Sequence, residues 1–132
     1  MKTNEDGLRI IEIYDESHDD DDIVDAEKIV RLFLHPRPKM NENQFASAVS
    51  YAITLDPDDF KTSKFVEAVN AAKNRRELLE CCIHFKEYAF VIDEGKKVKN
   101  NAIISRRNEE IALFCKPALR LVRTNGVTRG AE

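Results

Sequence analysis

The stretch that decides the fold is residues 41–52, NENQFASAVSYA. Asn41 and Gln44 lie three positions apart, which is the spacing of a capping box at the start of a helix. The apolar residues that follow recur at helical spacing and form one stripe, namely Phe45, Ala48, Val49 and Ala52. The stretch therefore predicts a helix that begins near Asn41 and buries one face.

Similar helical patterns lie on both sides of this stretch. Upstream, an apolar stripe over residues 23–33 stops before Pro36, because the residue preceding a proline avoids the helical region. Downstream, Pro57 fits the first position of a helix, and a second capping box begins at Asn74. The most regular stripe leads from there to Gly95, which we interpret as a helix C-cap: Leu78, Cys81, Cys82, Phe85, Tyr88 or Ala89, and Ile92.

The first and last segments complete the predicted architecture. Leu8–Tyr14 is short, β-branched and aromatic, which is typical of a strand. It has no obvious partner, so it pairs with one of the weak candidates Ala89–Asp93 and Ala102–Ser105, pairs with another chain, or is helical instead. A final helical face runs past Pro117, where the helix must kink or restart: Ile104, Ile111, Cys115, Ala118 and Val122. We therefore predict a mainly α fold, a compact bundle of five to six helices, possibly with one short N-terminal strand.

Length and composition indicate a single domain. The 132 residues suffice for one core, and we assign residues 8–125 to a helical domain between flexible ends at 1–7 and 126–132. No apolar run approaches the roughly 20 residues needed to cross a bilayer, and the first residues are polar. Three cysteines, two of them adjacent, do not make a disulfide framework. These features predict a cytoplasmic protein with no membrane contact.

The acidic run ESHDDDD, residues 16–22, raises the question of a metal site. In the best EF-hand register, which starts at Glu16, Asp21 occupies the sixth position, where the loop requires glycine. A helix start is the better interpretation, with Asp21 or Asp22 as the N-cap and Asp25 in the first turn, because acids there complement the helix dipole. The excess charge also remains available to a basic partner.

The cysteines and histidines do not predict a metal or cofactor site. Cys81 and His84 could share a helix face, but Cys82 points elsewhere and Cys115 stands alone, whereas zinc sites favour paired ligands. We therefore expect Cys81 and Cys82 to be buried thiols. The chain has no phosphate-binding loop and no nucleophile motif. The two adjacent acids at 58–59 indicate the start of a helix. On these grounds we predict no catalytic residues and no enzyme.

Charge is strongly segregated along the chain. Residues 1–25 hold ten acids and two bases, and residues 95–132 hold nine bases and three acids. The acidic surface would consist of Asp15, Glu16, Asp19, Asp20, Asp21 and Asp22. The basic surface would consist of Lys96, Lys97, Lys99, Arg106, Arg107, Lys116, Arg120 and Arg123.

This segregation leads to two functional hypotheses. The first is a non-catalytic intracellular protein–protein interaction module, possibly self-associating, in which the acidic and basic surfaces are complementary. The alternative is a nucleic-acid-binding protein that places the basic 96–123 segment on phosphates. Salt dependence separates them, because phosphate binding weakens steeply as salt rises.

Overall fold

The computed structural model describes residues 1–15 and 18–117, and this part of the chain is mainly helical, as predicted. The helices are α1 Glu5–Tyr14, α2 Asp20–Phe33, α3 Glu42–Ala52, α4 Pro57–Lys61, α5 Lys64–Ala71, α6 Arg75–Glu80 and α7 Asn101–Cys115. A 3₁₀-helix, Cys81–Tyr88, leads into a hairpin of β1 Phe90–Asp93 and β2 Lys96–Lys99. None of the described helices is long and apolar enough to cross a membrane.

Helix α3 forms the centre of the domain. The capping box predicted at Asn41 and Gln44 is confirmed, since each side chain accepts a hydrogen bond from the other residue's backbone N–H. Every residue of the helix after Glu42 is buried. Helices α1, α2 and α7 pack around it. A helix covered on all sides carries small residues such as Ala46, Ser47 and Ser50 so that its neighbours can approach closely.

An aromatic cluster joins the other elements to α3. The ring of Phe85 in the 3₁₀-helix lies 4.6 Å from Tyr51 of α3 and 4.5 Å from Phe65 of α5, centroid to centroid. Phe114 of α7 meets Phe65 and Phe85 edge to face, at 5.9 Å from each. These rings are fully buried, and burial of such large apolar surfaces is the main force that holds the bundle together.

The N-terminal segment corrects one prediction. Leu8–Tyr14 is not a strand but the greater part of α1, which starts earlier, at Glu5. The Asn4 side chain caps this helix by accepting a hydrogen bond from the Gly7 N–H. Ile10 and Ile11 are both buried, which a helix permits because consecutive side chains lie about 100° apart and can reach different neighbours. Tertiary packing here overrides the β propensity of the isoleucines.

The contact between α1 and α3 depends on Gly7. A Cβ added there would lie 2.7 Å from the Ala46 Cβ, closer than two carbons can approach. We expect Gly7→Ala to lower the free energy of unfolding by about 1–3 kcal/mol despite the higher helix propensity of alanine. Urea denaturation measures this change. The double variant Gly7→Ala with Ala46→Gly should recover part of the loss, because Thr3 Cγ2 would still lie 2.9 Å from the added Cβ. An unchanged stability in the single variant would contradict this close contact.

The stripe from Leu78 to Ile92 does not form one helix. It divides into α6, the 3₁₀-helix and strand β1, in which Val91 pairs with Val98 of β2. Gly95 is therefore not a helix C-cap. It lies in the hairpin turn with Glu94, and both residues have positive φ, at 79° and 50°. Such a two-residue turn matches the twist of the strands, and glycine adopts it without strain.

The acidic run begins a helix, as interpreted, although the cap lies earlier than expected. Asp19, rather than Asp21 or Asp22, is the N-cap of α2, and it forms a reciprocal capping box with Asp22. The helix ends at Phe33, ahead of Pro36. Pro57 occupies the first turn of α4, as its position predicted.

Candidate functional site

One open cleft of about 630 Å³ stands out on the described surface. Its walls come from the end of α1, the turn between α3 and α4, the end of the 3₁₀-helix, the hairpin and the first turns of α7. The volume lies in the range of small-molecule and cofactor sites. Its lining combines aromatic and aliphatic side chains with a few charged groups, which is the usual composition of a ligand site.

Three carboxylic acids line this cleft from two walls. Asp15 follows the last residue of α1 and is half-buried. Its backbone carbonyl contacts the ring of His18, which fixes the chain as it leaves the helix. Asp56 and Asp59 lie on the α3–α4 side and are exposed. Asp56 precedes α4 in the N-cap position but makes no capping hydrogen bond with its side chain, so its carboxylate is not used to hold the helix.

Aromatic side chains form the floor and rim of the cleft. Tyr88 and Phe90 stack with their ring centroids 6.0 Å apart and their planes 26° apart. The Lys97 ammonium lies over the Phe90 ring, 4.7 Å from its centroid. Tyr14 donates a hydrogen bond from its hydroxyl to Glu109, and this bond raises the pKa of Tyr14. Flat apolar rings beside polar groups suit a ligand that has both apolar faces and hydroxyls.

A buried charge network lies behind the cleft. Arg106 Nε donates to Glu110 Oε2 at 3.2 Å, and Arg107 Nη1 donates to Glu110 Oε1 at 2.7 Å. The side chains of the two arginines are only 5% and 3% exposed, and that of Glu110 is fully buried. Burial lowers the pKa of Arg106, while the nearby charges of Glu110 and Asp15 act in the opposite direction. Arg106 and Asp15 thus interact electrostatically, and both line the cleft.

The remaining donors of Arg107 hold two walls of the cleft together. Its Nε donates to the Tyr88 carbonyl oxygen at 3.0 Å, and its Nη2 donates to Thr54 Oγ1 at 2.7 Å. Its guanidinium also lies over the Tyr51 ring, 4.8 Å from the centroid. Because the guanidinium fork is planar and rigid, these contacts fix the end of the 3₁₀-helix relative to the end of α3.

The structure divides the predicted basic surface. Lys96, Lys97 and Lys99 are exposed on β2, and Lys116 is exposed and pairs with Asp6 at 2.9 Å. Arg106 and Arg107 do not belong to such a surface, because both are buried against Glu110. Arg120 and Arg123 lie outside the described residues.

The predicted acidic surface is divided in the same way. Asp19, Asp20, Asp21 and Asp22 are exposed around the start of α2. Asp15 instead faces the cleft, and Glu16 lies outside the described residues. Among the described residues, Asp15, Arg106 and Arg107 therefore lie apart from the exposed members of the two predicted surfaces.

The thiols lie partly where they were expected. Cys81 and Cys82 are buried, whereas Cys115 at the end of α7 is exposed rather than on an apolar face. Burial raises the pKa of Cys81 to about 11. Within residues 1–15 and 18–117, no three His, Cys, Asp or Glu side chains are arranged to hold a metal ion.

Comparisons with known proteins identify the fold. No protein-family profile and no curated protein matches the sequence. The muramidase domain of SpmX from Asticaccaulis excentricus superposes with a TM-score of 0.62 at 22% identity, over 73% of this chain and 61% of that one. The endolysin of Escherichia coli O157:H7 phage FAHEc1 superposes with a TM-score of 0.69 at 18% identity, over 86% of this chain and 93% of the endolysin. This chain has the muramidase–endolysin fold. It spans about three fifths of the SpmX domain.

These structural neighbours correct the functional predictions. The hypotheses of a non-catalytic protein–protein interaction module and of a nucleic-acid-binding protein are wrong, because the two solved structures that share this fold are a muramidase domain and an endolysin. The expectation that the chain is not an enzyme is contradicted on the same ground. Part of the charge segregation that suggested interaction surfaces is internal, since two of the arginines pair with a buried glutamate.

Sequence reasoning missed most of the cleft. Asp59 was interpreted only as part of a helix start and Tyr14 only as the end of a strand, while Asp56, Thr54 and Phe90 were part of no predicted site. These residues come from separate elements along the chain and share no spacing pattern, so no local signal could have grouped them. One signal was available at Glu110, which lies three and four positions after the two arginines, the spacing at which helical side chains pair.

Proposed function

We propose that the protein is a glycoside hydrolase that binds peptidoglycan strands in this cleft and cleaves them there. The observation that carries the proposal is the cleft itself, which is lined by Asp15 from the end of α1, by Asp56 and Asp59 from the α3–α4 side, and by several apolar side chains. The fold supports it, because a muramidase acts on the bonds of muramic acid in peptidoglycan, and an endolysin degrades the same polymer.

Hydrolysis of a glycosidic bond requires two carboxyl groups with different tasks. One donates a proton to the leaving oxygen as the bond to the anomeric carbon breaks. The other takes a proton from the water that attacks this carbon, or stabilises the positive charge that develops on the sugar. Two acids on opposite walls of one cleft can divide these tasks between them.

We assign the carboxylate role to Asp15. It lines the cleft at the end of α1, on a different element from Asp56 and Asp59. One of Asp56 and Asp59 supplies the proton to the leaving oxygen. Separate variants Asp56→Asn and Asp59→Asn identify the donor. Asp58→Asn is the matched control, because Asp58 belongs to the same short helix but does not line the cleft.

The aromatic rim provides the binding surface for the sugar rings. The apolar face of a pyranose can lie on the Tyr88–Phe90 pair, while Lys97 faces the carboxylates that peptidoglycan carries on its peptides. We expect Phe90→Ala to raise KM about 5–30-fold with little change in kcat, which corresponds to a loss of about 1–2 kcal/mol of binding. Steady-state kinetics measure both constants.

A matched variant shows whether the rise in KM depends on the position of Phe90 in the cleft or only on the loss of an exposed apolar side chain. Ile83 is exposed on the 3₁₀-helix and does not line the cleft, so Ile83→Ala should leave KM unchanged. Equal changes in KM for the two variants would contradict a role for Phe90 in binding.

The proposal as a whole is tested on purified peptidoglycan. The full chain is incubated with insoluble sacculi, and soluble products are separated and identified by mass spectrometry. The expected products are muropeptides that carry a new reducing sugar end. No soluble product beyond that of a sample without protein would overturn the proposal, and so would products cut only in their peptides.

A further inference from the structure

The contact between Cys82 and Cys115 is a second chemically distinctive feature, and it lies outside the cleft. The two sulfur atoms are 3.6 Å apart, although the residues are 33 positions apart in the chain. Cys82 belongs to the 3₁₀-helix, and Cys115 is the last residue of α7. The tertiary fold, rather than local chain geometry, therefore brings these two thiols together.

We propose that Cys82 and Cys115 form a reversible disulfide when the protein meets a small disulfide such as oxidised glutathione. A disulfide bond is about 2.05 Å long, so the sulfur atoms must approach by roughly 1.5 Å. The end of α7 can allow this movement. The helix stops at Cys115, and Lys116 already has extended backbone dihedrals.

The exposure of the two thiols sets the order of the reaction. Cys115 is exposed and reaches the reagent first, whereas Cys82 is buried. The Cys115 thiolate attacks glutathione disulfide, which forms a mixed disulfide and releases one glutathione thiolate. Cys82 then loses its proton to solvent and attacks the Cys115 sulfur, which releases the second glutathione. In sum, two protein thiols and one glutathione disulfide give one protein disulfide and two glutathiones.

The second step is the slower one. Burial, together with the hydrogen bond to Cys115, raises the pKa of Cys82 to about 12, so little thiolate is present near neutral pH. Cys81 does not compete effectively. Both buried thiols donate to a carbonyl oxygen, Cys81 to that of Glu77 at 3.2 Å and Cys82 to that of Leu79 at 3.3 Å. Among the described side chains, however, it is Cys82 that also contacts the Cys115 sulfur.

The disulfide would enclose one side of the cleft. The chain between the two cysteines contains Tyr88, Phe90, Lys97, Arg106 and Arg107, all of which line the cleft. Closing this loop restricts the unfolded chain. We expect the oxidised protein to melt on the order of 5–10 °C above the reduced protein.

The test counts thiols in the full chain. Reduced protein is incubated in buffers of rising oxidised-to-reduced glutathione ratio. It is then unfolded in a denaturant that contains N-ethylmaleimide, which alkylates the free thiols, and its mass is measured by mass spectrometry. We expect one alkylated thiol in place of three, and a peptide map that joins Cys82 to Cys115. Retention of three thiols at ratios that oxidise the chain in urea would overturn the proposal. A Cys81–Cys82 linkage or a stable glutathione adduct would overturn it as well.

Three variants give the controls. Cys81→Ser should form the disulfide as the wild type does, and Cys115→Ser should keep both remaining thiols free. Cys82→Ser should accumulate the glutathione adduct on Cys115, which traps the first step of the exchange. Oxidation of Cys115→Ser at the wild-type ratio would contradict the assigned pair. Because every readout is a mass, these outcomes do not depend on whether the cleft cleaves peptidoglycan.

Discussion

Replacing Asp15 with asparagine is expected to lower the rate of peptidoglycan hydrolysis by about 10²–10⁴-fold, the range typical for loss of one acid–base group. Asparagine keeps the shape of the side chain but cannot take a proton from water or carry a negative charge. Release of reducing ends from purified peptidoglycan measures the rate. The thermal transition should stay close to that of the wild type, because Asp15 is only half-buried.

Glu12→Gln is the matched control for this variant. Glu12 is an exposed acid on the same helix and does not line the cleft, so its replacement should leave the rate unchanged. Azide adds a second, chemical control. If Asp15 is the group that activates water, azide should restore cleavage to Asp15→Ala by attacking the anomeric carbon in place of water. The product is then a glycosyl azide without a new reducing end, and mass spectrometry detects it. Equal rates in Asp15→Asn and the wild type would remove Asp15 from the reaction.

Replacing Glu110 with glutamine is expected to lower the free energy of unfolding by about 3–5 kcal/mol, because it leaves two buried guanidiniums without their counter-charge. Chemical denaturation should show a lower midpoint. Arg107 also fixes Tyr88 and Thr54 on two cleft walls, so the variant should lose peptidoglycan hydrolysis even where it remains folded.

The exposed pair Arg76–Glu80 provides the comparison. These side chains are four positions apart on α6, with 3.6 Å between Arg76 Nε and Glu80 Oε2, but both are well exposed. Glu80→Gln should change stability by less than about 0.5 kcal/mol, since solvent screens such pairs. A cost for Glu110→Gln no larger than that for Glu80→Gln would contradict the account of the buried network.

The sequence predicted the helical class because its strongest signals are local. The capping box at Asn41 and the proline at Pro57 act within one turn of helix, so their effect does not depend on distant residues. Leu8–Tyr14 was mistaken for a strand because β-branched residues were weighed by propensity alone. The same isoleucines are buried against other helices, and that information lies outside the segment.

The hairpin carried a signal that the helical interpretation obscured. Val91 and Val98 pair across a turn at Glu94 and Gly95, and the short apolar run Phe90–Ile92 ahead of that turn is typical of a strand. The apolar stripe from Leu78 continued through this region at helical spacing, so Ile92 was assigned to the helix. A stripe alone cannot distinguish a long helix from a helix followed by a strand.

The cleft could not be predicted, for a different physical reason. Asp15, Asp56 and Phe90 lie on three elements whose approach is set by the packing of the aromatic cluster and by the contacts of Arg107. The charges of Arg106 and Arg107 suggested an exposed basic surface, because net charge along a segment does not reveal which side chains are buried with a partner. Only the three-dimensional structure shows that Glu110 neutralises them.

The central claim is that this cleft is the glycan site, and a titration followed by nuclear magnetic resonance tests it most directly. The full chain, labelled with ¹⁵N, is titrated with a soluble disaccharide-peptide of peptidoglycan. We expect the largest shifts at the backbone amides of cleft residues, foremost Thr54, Asp59, Phe90 and Lys97. Shifts confined to the exposed start of α2, or no shifts at millimolar ligand, would contradict the account.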